Sequence, residues 1–119
     1  MIKPKSVWIV RTTGEAIRVE DAPFTIYEDT GWELSLEWAK EQMGITSPVD
    51  LVRLPYGEMW VDDEGLYKEN RKVNGMATAL YQASRRTTHP IVGDVVLVLT
   101  PGTKAEIRLN VLLENLVRN

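Results

Sequence analysis

The stretch Ile91-Val92-Gly93-Asp94-Val95-Val96-Leu97-Val98-Leu99 constrains this chain more than any other segment. It is the most apolar run in the sequence, dense in β-branched residues and bounded by Pro90 and Pro101. Those features predict a central β-strand, with Gly93 read as a bulge. At 119 residues, a single domain over 1–119 is expected around it. With 44% apolar and 26% charged residues, the composition is that of a globular chain rather than a disordered one.

Strand partners are readable nearby. Residues 6–10 carry β-branched and aromatic side chains on alternate faces and read as a strand covered on both sides. The turn Thr12-Thr13-Gly14-Glu15 leads into alternating residues 16–20, which completes a hairpin, and a short extended piece is expected at 24–27. Thr30 and Glu33 have capping-box spacing, predicting a helix to Met43 with Gly44 as its stop and Trp32, Leu36, Ala39 and Met43 on one face. Two more strands are expected at 49–54 and 59–61, with a return strand at 66–68. Asn74 caps a predicted helix over 75–84. Thr103 and Glu106 start a second capping box, and Ala105, Leu109, Leu112, Leu113 and Leu116 form a helical stripe, preferred over a strand reading of 107–111. The expected class is α+β, order ββ-α-ββ-α-β-α: about five strands in an antiparallel or mixed sheet with two or three helices.

Several functions are excluded by residue type. Zero cysteines remove disulfides, thiolate nucleophiles and cysteine-ligated zinc, and a single histidine, His89, removes a histidine-rich metal site within one chain. No apolar run spans a bilayer or makes a secretory signal, so a cytoplasmic protein without membrane partners is expected. The net charge of −3 argues against a nucleic-acid partner and is too weak for a DNA mimic. Charge is uneven: residues 1–80 carry 9 basic and 14 acidic side chains, residues 81–119 carry 5 and 3. An anion-binding surface is thus expected near Arg85 and Arg86.

Asn74, Thr78, Tyr81 and Arg85 follow helical spacing, so one face would present an amide, two hydroxyl groups and a guanidinium able to donate and accept hydrogen bonds. The alternative is an ordinary solvated face with a cap. Arg53 interrupts an apolar strand and needs a partner, with Asp94 the expected one, or else a ligand anion. Asp62-Asp63-Glu64-Gly65 lacks the alternating spacing of a calcium loop and reads as a soluble turn. His89 with Asp94 is the one conceivable acid–base pair, which gives a hydrolase-type enzyme its only foothold. No nucleophile elbow, phosphate loop or zinc-protease motif occurs, and no cofactor is expected. Of the four tryptophans, Trp38 and Trp60 are candidate contact anchors, which also raises a possible homodimer.

Arg53-Leu54-Pro55, then Met59-Trp60-Val61-Asp62-Asp63-Glu64-Gly65, then residues 74–81 and 91–96 come in an order and spacing that resemble a family of small bacterial and phage proteins known only as a domain of unknown function. The resemblance implies carriage on phages or mobile elements and proximity to host defences. Its 85–90 loop is longer and more basic than the family pattern. The expectation is a non-enzymatic binding protein that engages a host protein, the alternative being sequestration of a nucleotide or other small anionic ligand.

Overall fold

The computed structural model describes residues 6–27, 31–69, 72–85 and 87–118. Along the chain lie β1 (Ser6–Val10), β2 (Ala16–Val19), β3 (Phe24–Tyr27), β4 (Gly31–Leu34), α1 (Leu36–Met43), β5 (Val49–Leu54), β6 (Gly57–Asp62), a 3-10 turn (Gly65–Tyr67), α2 (Gly75–Ser84), β7 (Val95–Leu99) and α3 (Lys104–Arg118). Five strands form one antiparallel sheet in the order β2-β1-β7-β6-β5, and β3 and β4 form a separate hairpin. This is the α+β class, with β7 at the centre as its apolar sequence requires.

Side-chain alternation divides the interior in two. Trp8, Met59, Val61, Val95, Leu97 and Leu99 face α2 and α3, where Ala77, Leu109 and Leu113 close the layer. Val7, Trp60, Val96 and Val98 face the other way and are covered by Leu34 of the small hairpin and by Ala39 and Met43 of α1. All five residues of β7 are buried, because both of its faces and both of its edges are occupied. The Trp8 indole donates to Asn110 Oδ1 at 2.8 Å, so its polar edge is satisfied while its ring fixes α3 over β1. The turn between β5 and β6 brings Gly57 so close to β7 that a Cβ there would overlap the Val98 carbonyl oxygen. Only glycine fits.

Three expectations are corrected. The predicted strand over 91–99 is shorter: Gly93 has φ +86° and donates to the Lys72 carbonyl, so the ladder begins at Val95. Ile91 and Val92 stay buried, with Val92 bridging Val73. The helix expected from Thr30 instead starts at Leu36, capped by Ser35, whose Oγ accepts the Trp38 amide. Thr30 lies outside the described residues, whereas Trp32 and Glu33 belong to β4, where Trp32 meets Phe24 edge-on at 5.8 Å. A nearer cap and an aromatic cross-strand pair outcompete the helical spacing. Residues 66–68 form part of the 3-10 turn and the bend after it, not a return strand. Helix α3 bears out the helical reading of the C-terminal stripe, and Thr103 Oγ1 accepts the Glu106 amide as the capping box requires. Leu112, expected on its packed side, is 47% exposed.

Candidate functional site

The helix face of Asn74, Thr78, Tyr81 and Arg85 does not form the outward polar stripe expected of it. Asn74 is fully buried: its Oδ1 accepts the Ala77 amide, and its Nδ2 donates to the carbonyls of Val10 at 2.9 Å and Gly93 at 3.0 Å. Thr78 Oγ1 accepts the Ile91 amide at 2.9 Å. Both side chains weld α2 to the segment leading into β7, and neither offers a ligand a free group. Tyr81 is half-buried against the helical-face core. Arg85 is exposed and donates to the Arg53 carbonyl at 2.9 Å, and Arg86 lies outside the described residues.

The remaining candidates also separate. Asp94, expected to pair with Arg53, accepts instead from Arg11 at 2.8 Å and from the Thr12 amide at 2.9 Å. Arg53 is exposed on β5. Since Val52 and Leu54 point towards α2, Arg53 points to the opposite face, away from Tyr81. A pocket lined jointly by Arg53, Tyr81 and Arg85 is therefore not built. Trp60 is 6% exposed, its Nε1 donating to Glu58 at 3.2 Å, and Trp38 packs half-buried beside Ala39 and Met43, so neither is a free surface anchor. His89 and Asp94 have separate surroundings: His89 shares a groove with Asp50 and Tyr81, Asp94 one with Thr12 and Lys72. Among the described residues no group of three or more histidine or carboxylate side chains is placed to hold a metal ion.

The structure instead assembles features around β5 that sequence reasoning did not single out. β5 is a sheet edge, six residues long. Leu54 and Gly57 close its turn with β6, so Leu54, Val52 and Asp50 bond to β6, and the peptide groups of Arg53, Leu51 and Val49 face outward. Among the described residues, the only hydrogen bond on that outer side is Arg85 to the Arg53 carbonyl. The opposite edge, β2, is only four residues long. Its Arg18 is drawn back over the Trp8 ring and to Glu114 of α3 at 2.7 Å.

A groove flanks β5 on each face. Towards α2, a cavity of about 270 Å³ is lined by Asp50, Val52, Asp63, Tyr81 and His89. Asp62 borders it, accepting from Ser47 Oγ at 2.6 Å, from the Glu64 amide at 3.0 Å and from Lys68. Burial pushes the Asp62 carboxyl up, but the bonds from Lys68, Ser47 and the Glu64 amide, with the Lys68 charge, outweigh it and hold the group below the usual carboxylate range. Towards the small hairpin, a cavity of about 170 Å³ is lined by Phe24, Trp32, Glu33, Leu51, Glu58 and Trp60. Leu51 is 49% exposed at its mouth, and hydrogen bonding to Glu33 together with its charge raises the Tyr27 phenol. In the sequence, the signal for this region was available in part: the charges Asp50 and Arg53 inside the otherwise apolar run 49–54 mark a strand lacking full cover.

Comparison with protein-family models, with curated proteins and with solved structures found no match.

Proposed function

We propose that this chain is a non-enzymatic binding domain that engages another protein by accepting an extended segment along the outer edge of β5. One observation carries the reading: a six-residue strand with outward peptide groups borders a groove on each face, while the other sheet edge is short and tied to α3. An added strand gains main-chain hydrogen bonds from such an edge, and flanking grooves supply selectivity for alternate side chains. The phage or mobile-element setting implied by the sequence resemblance makes a host protein the partner class we propose. Sequestration of a small anion is the weaker reading, because Arg53 and Arg85 do not converge and both grooves carry carboxylates.

Photocrosslinking from defined positions tests this. A photoreactive residue at Leu51 should give a protein adduct in extracts of the source cells, whereas one at the exposed Ile107 of α3 should not. Adducts from position 107 alone, or from neither, would overturn the assignment of β5.

A further inference from the structure

We infer that the segment docking on β5 carries a lysine or arginine, and that this cationic side chain enters the groove of Phe24, Trp32 and Trp60. The inference rests on the strand-docking reading above and adds the chemistry of the occupant. A residue paired with Leu51 across the open edge has its side chain on Leu51's own face. That face holds the smaller groove, of which Leu51 is itself a wall. At about 170 Å³ the groove lies below the roughly 300–1,000 Å³ of small-molecule sites and suits one long side chain.

Its walls favour a cation. Three aromatic rings surround it, and the negative face of an indole attracts an ammonium or guanidinium group. The Glu58 carboxylate lies on the same strand face as Trp60 and borders this space, and Glu33, which also lines it, accepts from the Tyr27 phenol. Glu58 accepts the Trp60 indole N–H through Oε2, and its Oε1 has no donor among the described residues. Arg53 stands opposite Glu58 in the ladder, yet no close ion pair joins them among the described residues. Across the strand, exposed Asp50 and Asp63 on the other groove repeat the preference, so a segment with basic residues on either face meets complementary charge. A glutamate at the same place would be repelled by the Glu58 carboxylate.

The test uses the full chain and short capped peptides alternating valine with lysine, with norleucine, or with glutamate. Amide shifts of Val49, Leu51 and Arg53 report the edge, and the indole N–H resonances of Trp32 and Trp60 report the groove. The lysine peptide should move both sets and bind roughly fivefold tighter than the norleucine peptide, a gap that shrinks with added salt. Glu58→Gln, which keeps an acceptor for Trp60, should erase that gap, and Glu33→Gln should narrow it if the first variant folds poorly. Equal binding of all peptides through β5, with the indoles unmoved, overturns the cation assignment and leaves the edge reading standing. No shift in either set at millimolar peptide overturns both. A solution mass of two chains, with the β5 amides protected before any peptide is added, also overturns it, because a second copy would then be the occupant.

Discussion

The two faces of the central sheet are covered in different ways. On the helical side, α2 and α3 bury Trp8, Leu97 and Leu99, and polar side chains lock the layers: Asn74 reaches Val10 and Gly93, and Asn110 receives Trp8. On the other side, an eight-residue helix and a hairpin of two four-residue strands cover Val7, Val96 and Val98. That cover stops short of β5 and leaves the aromatic groove; among the described residues the Trp32 indole N–H on this side, and the Tyr56 hydroxyl on the helical side, are buried without a partner. A buried donor left unmade costs stability, whereas the Asn74 amide has all its bonds made. The side chains that lock one layer to another therefore sit on the helical side, and the other side retains space at an open edge, where binding surfaces are usually found.

Asn74→Ala should test that contrast most severely. It removes the cap and two donors, leaving the Val10 and Gly93 carbonyls and the Ala77 amide unpaired, so denaturant unfolding should show a loss of about 3 kcal/mol. Phe24→Ala, on the thinner side, removes the edge-on contact with Trp32 and should cost about 1–2 kcal/mol, with faster hydrogen exchange confined to β3 and β4. Equal losses, or global exchange in both variants, would break the comparison.

Asp62 sharpens the contrast through pH. Its folded pKa lies below the unfolded value of about 3.9, so its contribution is complete above about pH 4 and is lost as pH falls through the folded value. Asp62→Asn should cost about 1 kcal/mol near neutrality, and its stability should fall less steeply with acid than that of the parent chain. Thermal unfolding across that range reads both. The smallest effect belongs to Arg85→Ala: the bond to Arg53 is exposed, so stability should change by less than about 0.5 kcal/mol. A larger loss would mean that Arg85 closes the β5 edge as part of the fold.

Much of the architecture was legible because burial leaves a pattern. The apolar run ending at Leu99, the alternation at Val7 to Val10, and the Asn74 cap each stated their role in the sequence. The errors fall where two local signals compete. Thr30 and Glu33 have the spacing of a helix start, but Ser35 is also a cap, and β3 supplies Trp32 with a strand partner, and through Phe24 a ring contact, that single-segment reading cannot see. The polar stripe on α2 failed for a different reason. Helical spacing puts Asn74 and Thr78 on one face but says nothing of the chain at 91–93, which comes back to use their hydrogen bonds. The grooves beside β5 were hidden for the same cause: they exist between elements distant in sequence.

Asn74 is followed by Gly75, the neighbour that least hinders attack of a backbone nitrogen on a side-chain amide, so in a loose peptide this pair would be prone to slow conversion to aspartate. Here the amide is immobilised with its nitrogen engaged twice, and Gly75 is fixed in the first turn of a helix. Chemical ageing at this position can proceed only from molecules that have opened. A carboxylate formed there would face two carbonyl oxygens, hindering closure, so isoaspartate accumulating in stored material would serve as a cumulative clock of excursions from the folded state.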